Sequence, residues 1–212
     1  MADMDGFLRA LNLMSGTAGT PQQQQVPRGN QQQPVTGNRA GAPNFGGEEL
    51  TCLIGITAPN NPPVNWVTET INGEQVSYDP LVFRRSAGGD RVAKALAYCG
   101  PTFGTVQQPI GLSDYSYMFA KSSVQKVNLD RWDVSKVKNL EGMFSTCMNL
   151  SELRLNSWKV GKCRSMSRML ENCLNLNVLQ ISKWEPDNLE DIDDMFKAVD
   201  MSLIPEWYND WC

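Results

Sequence analysis

A tryptophan recurs every 26 residues in the C-terminal half of the chain, at Trp132, Trp158 and Trp184. Several other apolar positions keep this interval, so the repeat has a fixed internal register. These columns are Met143, Met169 and Met195; Val124, Leu150 and Leu176; Val127, Leu153 and Leu179; and Leu129, Leu155 and Ile181. A period between about 20 and 29 residues is typical of repeats that combine one strand with one short helical turn. The spacing therefore predicts a stacked array over residues 112–212.

Two patterns within each repeat predict its local structure. The alternation in Val127-x-Leu129 and its counterparts predicts a short strand with alternate residues pointing inward. Apolar residues at i, i+3 and i+4 in Leu140–Phe144 and Met166–Leu170 predict a short helix. The predicted fold class is an α/β solenoid, with a parallel strand and a short helix in each coil. Because the tryptophans share one phase, we expect a ladder in the core rather than a ligand platform.

Residues 48–111 precede the array and are predicted to be a small α+β unit that caps its exposed strand edges. The expected elements are a buried strand over Thr51–Thr57, a hairpin over Trp66–Tyr78 that turns at Asn72-Gly73, a strand over Pro80–Arg85, and a helix over Arg91–Tyr98. At the other end, the 26-residue register breaks and proline and aromatic residues cluster over 204–212. We expect this segment to cover the last coil.

The first 47 residues differ in composition from the rest of the chain. Residues 1–14 place Phe7, Leu8 and Leu11 at helical spacings, which predicts a short amphipathic helix that orders against a partner. Residues 15–47 are rich in Gln, Pro and Gly, which predicts a flexible arm. The segment is either an anchoring arm with a sticky tip or an inert terminus.

The amino-acid composition argues against several kinds of catalytic and metal site. The chain has no histidine, which excludes Ser-His-Asp and Cys-His nucleophile systems. Its six cysteines form no C-x-x-C pair, which argues against zinc. We therefore expect no enzyme activity, no cofactor and no metal site, although a hydrolase that uses unrecognised carboxylates stays an alternative. Cys147 and Cys173 share a repeat column and are expected to be buried free thiols.

Charge and hydropathy constrain the partners. The net charge of −4 argues against nucleic acid and anionic membranes as partners, and no apolar run is long enough to cross a bilayer. The opening residues lack the features of a secretory leader. Residues 145–170 hold five basic residues against one acidic residue, whereas residues 171–197 hold seven acidic against two basic. These are either solvated faces of neighbouring coils or surfaces for docking a partner or a second copy head to tail.

The segment from Met143 to Trp158, with the pattern M-F-x-x-C-x-x-L-x-x-L-x-L-x-x-W, resembles the BspA-like leucine-rich repeat proteins. Leu129–Val137 is similar to the strand and turn of that family, whereas Leu170 and Pro186 depart from its pattern. The resemblance covers about half of the chain. It implies a leucine-rich repeat fold and protein binding or adhesion rather than catalysis.

Together, these features predict a structural or interaction protein whose repeat body is tethered by its N-terminal arm to a larger assembly, as a minor virion component. The expected partners are other protein subunits or a second copy, without nucleic acid or membrane insertion. The alternative is a surface recognition module or adhesin that binds a host protein or glycan through the repeats. The expected location is the virion, or otherwise the cytoplasm or the cell surface by a non-Sec route. Expected contact residues are Phe7, Leu8 and Leu11 in the arm and Arg131, Arg154, Lys159 and Lys183 on the repeats.

Overall fold

The computed structural model describes residues 52–86, 95–100 and 104–211. These residues form nine short strands, followed by two 3-10 helices at Met201–Leu203 and Glu206–Trp211. The strands are β1 (Cys52–Ile56), β2 (Val67–Ile71), β3 (Glu74–Tyr78), β4 (Phe83–Arg85), β5 (Leu96–Tyr98), β6 (Gly104–Gln107), β7 (Lys126–Asn128), β8 (Glu152–Arg154) and β9 (Val178–Gln180).

The main sheet has five parallel strands in the order β6, β1, β7, β8, β9. Val127 lies opposite Leu153, and Leu153 lies opposite Leu179, so adjacent repeat strands are offset by the 26-residue period. On the other side of β7, Leu53 of β1 lies opposite Val127 and takes the place of a preceding repeat. The segment before the repeats therefore extends the same sheet by two strands.

Two antiparallel hairpins lie between β1 and β6 in the chain. The hairpin of β2 and β3 turns at Asn72 and Gly73, with φ angles of 51° and 86°, which confirms the predicted turn. The predicted helix over Arg91–Tyr98 is wrong for its last three residues, because they form β5 and pair with β4. This pairing places the Tyr98 ring 6.1 Å from Phe83 and 5.1 Å from Phe119. Residues 91–94 lie outside the described part of the chain.

The predicted α/β solenoid is wrong, because the described repeats contain turns where a helix was expected in each coil. In Leu140–Phe144, the N–H groups of Leu140 and Phe144 donate to the carbonyls of Ser165 and Met169, at 2.8 and 2.9 Å. An α-helix would instead direct each N–H to the carbonyl four residues earlier. The predicted helix over Met166–Leu170 fails in the same way, since Met166 and Leu170 donate to Asp191 and Met195. Hydrogen bonds between repeats thus replace hydrogen bonds within a helix.

Left-handed backbone positions give a second reason why no helix forms. Two sets of residues in the same phase of successive turns have φ angles between 56° and 63°. The first set is Tyr117, Gly142, Arg168 and Asp194, and the second is Lys121, Thr146, Asn172 and Ala198. Within each turn the two positions lie four residues apart, and a right-handed helix cannot pass through either of them. The i, i+3, i+4 spacing of apolar residues therefore reflects two chain reversals that point buried side chains into the core.

One hydrophobic core extends from Leu53 to Val199 and includes all three tryptophans of the repeat, each at most 3% exposed. Burial confirms that these rings are core. The stacked part of the ladder is Trp158, Trp184 and Trp207, with centroid distances of 6.1 Å and interplanar angles of 1° and 25°. The indole N–H groups of Trp158 and Trp184 donate to the carbonyls of Leu129 and Leu155, both at 2.8 Å.

Trp132 departs from this ladder. Its ring packs against Tyr115, Phe119 and Phe83 at 5.8 to 6.3 Å, and its buried indole nitrogen has no hydrogen-bond partner among the described residues. The ring lies over Gly55, where a Cβ atom would come within 2.6 Å of Trp132 Nε1. A glycine in β1 thus leaves the space that the first tryptophan occupies.

Cys147 and Cys173 are buried free thiols, as predicted. Their sulfur atoms donate to the carbonyls of Phe119 and Phe144, at 3.0 and 3.2 Å. Burial raises the pKa of both thiols to about 12, so they stay neutral at physiological pH. They act as small apolar groups in the stack.

The C-terminal segment covers the last repeat, as predicted. Trp207 stacks on Trp184, and the Tyr208 ring meets Phe196 edge-on at 4.7 Å. Residue 205 lies 26 residues after Leu179, where another strand would continue the sheet. Pro205 stands there and is buried, and it has no N–H for a strand ladder. The array therefore ends at β9.

Candidate binding surface on the repeat turns

The turns that follow β7 and β8 carry a group of exposed basic side chains. We call this group the basic turn face, which consists of Arg131, Lys136, Lys138, Lys159 and Lys162. Lys136 and Lys162 occupy the same phase of adjacent repeats. The backbone of these turns is fixed between layers, because Lys138 N donates to Ser113 O and Arg164 N donates to Lys138 O, both at 2.8 Å. The charges therefore project from a rigid support.

The main cleft of this face has a volume of about 600 Å³. Lys136, Lys138 and Lys162 line it together with Glu74 and Gln108. A concave site of this size is typical of ligand-binding clefts, which range from about 300 to 1,000 Å³. It is large enough for one or two side chains of a partner.

Gln108 organises the floor of the main cleft. Its carboxamide nitrogen donates to Tyr115 Oη at 2.8 Å and to the Asp133 carbonyl at 2.6 Å, and its oxygen accepts from Asp133 N at 2.8 Å. Burial raises the pKa of Tyr115, so the phenol is neutral. The floor is thus an uncharged hydrogen-bonded network that ties the end of β6 to the first repeat turn.

A smaller cleft of about 360 Å³ adjoins the main one and is lined by Arg131, Lys159 and Ser157. Asp133 lines both clefts. Hydrogen bonds from the Ser135 side chain and backbone lower the pKa of Asp133, so its carboxylate is ionised. Those contacts turn the carboxylate toward its own loop, where Oδ1 accepts from Ser135 N at 3.0 Å.

Basic groups outnumber acidic groups around the two clefts. Among the described residues that line them, the five cations of the basic turn face stand against the carboxylates of Asp133 and Glu74. Glu74 Oε2 accepts from Ser113 N at 2.8 Å, so each carboxylate is held by a backbone N–H. The positive potential of the face is therefore only partly offset.

The charge changes sign at the third repeat. The turn after β9 carries Glu185, Asp187 and Glu190, all exposed. Arg164 of the second repeat forms an ion pair with Glu190 at 3.7 Å, with both side chains about two-thirds exposed at 65% and 66%. Such an exposed pair contributes little to stability. The uneven charge distribution of the sequence therefore corresponds to a surface that is basic at the first two repeat turns and acidic at the third.

The structure brings together only some of the residues expected to contact a partner. Arg131 and Lys159 line the same cleft. Arg154 instead lies on β8 and forms an ion pair with Glu152. Lys183 is exposed and shares the phase of Arg131 two repeats later, and it does not line either basic cleft. Phe7, Leu8 and Leu11 lie outside the described residues.

Three lysines and one glutamine of the surface were missed by sequence reasoning. The recurrence of Lys136 and Lys162 at the repeat interval was available as a signal. Lys138 has a basic counterpart in Arg164 at the same interval. Gln108 gave no signal, because its role depends on the position of β6 beside β1.

Part of the chain matches a protein family model whose description gives no function. Residues 113–207 match a family model described as "Mycoplasma protein of unknown function, DUF285". The match covers less than half of the 212 residues. No curated protein and no solved structure shows a significant match. All five residues of the basic turn face fall inside the matched segment, whereas Glu74 and Gln108 precede it.

Two kinds of feature are absent from the part of the chain that the structure describes. No helix in this part of the chain has the length and apolar character needed to cross a bilayer. No group of three or more Cys, Asp or Glu side chains in the same ranges is arranged to hold a metal ion. The family description names no function, so the resemblance to BspA-like leucine-rich repeat proteins stays a prediction.

Proposed function

We propose that the chain is a non-enzymatic interaction protein whose basic turn face binds an acidic segment of another protein subunit. The observation that supports this most directly is the excess of five cations over two carboxylates around two adjacent clefts. A surface of one charge sign raises the encounter rate with a partner of the opposite sign and disfavours wrong partners.

Rigidity of the turns supports the same proposal. Alternate residues in each turn donate to the next repeat, as in Leu140 to Ser165, Gly142 to Ser167 and Phe144 to Met169, at 2.8 to 2.9 Å. A surface fixed in this way loses little backbone entropy when a partner binds. The binding free energy then depends mainly on the charged side chains of the face. Because dissolved salt screens exposed charges, binding should weaken as the ionic strength rises.

Charge reversal in the main cleft tests the proposal. We expect a fluorescently labelled octaglutamate peptide to bind the full-length protein, as measured by anisotropy at low salt. The triple variant Lys136→Glu, Lys138→Glu and Lys162→Glu should bind it more than about tenfold more weakly, because like charges then face each other across the contact. Lys121→Glu is the matched control, since Lys121 is exposed on a different turn and outside both clefts.

Three results would contradict this proposal. One is equal affinity of the triple variant and the wild type for the peptide. Another is binding that does not weaken when the ionic strength rises from about 0.01 to 0.15 M, because that change shortens the Debye length from about 30 to 8 Å. A third is tighter binding of a single-stranded oligonucleotide than of the peptide, which would indicate a nucleic-acid partner.

The assembly that contains this partner is proposed from the sequence. Residues 1–47 have the composition of a tethering arm, and we propose that they fasten the body to a virion. Mass spectrometry of purified particles should then detect the chain in the particle fraction. Detection in the cell-surface fraction alone would contradict the virion proposal and favour the adhesin.

A further inference from the structure

A third cleft lies at the opposite end of the array from β1, under the C-terminal cover. Its volume is about 460 Å³. Its lining combines indole rings with carboxylates: Trp184, Glu185, Pro186, Asp187, Trp207, Asp210 and Trp211. This composition differs from that of the basic clefts and suggests a different ligand.

The aromatic walls of this cleft are held in place and partly open. Trp207 is fixed on one side by stacking on Trp184, and its indole N–H donates to the Ile181 carbonyl at 3.1 Å. It is half-buried, whereas Trp211, in the same 3-10 helix, is 42% exposed. Ring surface is therefore available to a ligand without a rearrangement of the core.

The remaining walls are negatively charged. Glu185, Asp187 and Asp210 are exposed, and no described lining residue of this cleft is basic. Glu185 and Asp187 follow Trp184 just as Asp133 and Ser135 follow Trp132 in the small basic cleft. The small basic cleft has Arg131 and Lys159 against Asp133, whereas this cleft has three carboxylates and no described basic lining residue, so the two clefts carry opposite net charge.

We propose that this C-terminal cleft binds an organic cation, either a basic side chain of a partner protein or a small quaternary ammonium compound. Indole is the aromatic group that attracts cations most strongly, and neighbouring carboxylates add to the attraction. The inference goes beyond the proposed function, since it uses another surface, the opposite charge and a different ligand.

The indole N–H signals of full-length ¹⁵N-labelled protein provide the test. We expect titration with N-acetylarginine amide to shift the Trp207 and Trp211 signals saturably, with a dissociation constant on the order of millimolar. The Trp158 signal should stay unchanged, because that ring is buried one repeat away. N-acetylcitrulline amide is the neutral control, and choline shows whether a quaternary ammonium group binds more tightly than a guanidinium group.

Two substitutions locate the site. Trp211→Ala and Asp210→Asn should each weaken binding by roughly threefold or more, because each removes a partly exposed contact to the cation. Asp193→Asn removes the same charge from an exposed position outside the cleft and should leave the affinity within about 1.5-fold. Equal responses to citrulline and arginine, or no saturable shift with either cation, would overturn the inference. The Lys136, Lys138 and Lys162 triple variant should still bind the cation, so failure of the proposed function and failure of this inference are distinguishable.

Discussion

Replacing Trp184 with alanine is expected to lower the free energy of unfolding by about 3–5 kcal/mol. The ring is 2% exposed and stacks on both Trp158 and Trp207, so its removal leaves a cavity and breaks two aromatic contacts. It also removes one of the two donors to the Leu155 carbonyl, the other being Trp158 N. Urea denaturation followed by circular dichroism measures the change.

Matched substitutions separate the ladder from its surroundings. Lys183→Ala, at the exposed neighbouring position, should change the free energy of unfolding by no more than about 0.5 kcal/mol. Trp184→Phe keeps a ring but removes one of the two donors to the Leu155 carbonyl, which still accepts from Trp158 N at 3.1 Å. The lost hydrogen bond should cost about 0.5–1.5 kcal/mol. A loss below about 1 kcal/mol for Trp184→Ala would show that the stacked indoles do not hold the repeats together.

Gly142→Ala is expected to destabilise the protein by about 2–4 kcal/mol, from left-handed backbone strain and overpacking together. Gly142 has a φ angle of 57°, and an added Cβ atom would lie 2.2 to 2.7 Å from three atoms of the Tyr117 ring. The ring cannot move away without loss, because Tyr117 Oη donates to Glu141 at 2.9 Å. Thermal and urea unfolding would both report the change.

A double substitution separates the two causes in Gly142→Ala. In a Tyr117→Ala background the overlap disappears, so Gly142→Ala should then cost only about 1–2 kcal/mol of backbone strain. Ala198 is the matched reference, because it is an alanine that already has a φ angle of 63° and lies exposed. Ala198→Gly should alter stability by about 1 kcal/mol at most. If Gly142→Ala costs the same in both backgrounds, the contact with Tyr117 is not the cause.

The strands of this fold could be predicted because their signal is local. Alternation of inward and outward residues identified β7, β8 and β9, and the Asn72-Gly73 turn identified the first hairpin. Both signals arise from neighbouring residues in the chain, so a single sequence contains them. The 26-residue interval likewise fixed the register between repeats.

The turns could not be predicted because their backbone is stabilised by the next repeat. A short apolar segment with helical spacing has the same sequence pattern in a helix and in a stacked turn. The distinction depends on whether Leu140 N finds a carbonyl within its own segment or that of Ser165. The left-handed column also has no consistent residue type, since it includes Tyr117, Gly142, Arg168 and Asp194.

The tertiary structure likewise decides which residues of the binding surface could be predicted from the sequence. Arg131 and Lys159 were expected to contact a partner, and they line one cleft. The main cleft depends on Gln108, which directly follows β6, and β1 lies between β6 and the first repeat strand β7 in the sheet although it comes much earlier in the sequence. The aromatic cover was predicted from its composition, but the place of Trp207 in the ladder was not, because it follows Trp184 by 23 residues rather than 26.

Protection of individual lysines tests the central proposal, binding through the basic turn face, most directly. The wild-type protein would be acetylated briefly with and without the octaglutamate peptide, and the modification of each lysine read by mass spectrometry. We expect the peptide to protect Lys136, Lys138 and Lys162 and to leave Lys121 and Lys197 at their unbound rates, because the first three belong to the basic turn face and the other two line neither of its clefts. Equal protection of all five lysines, or protection of Lys121 and Lys197 alone, would contradict the account.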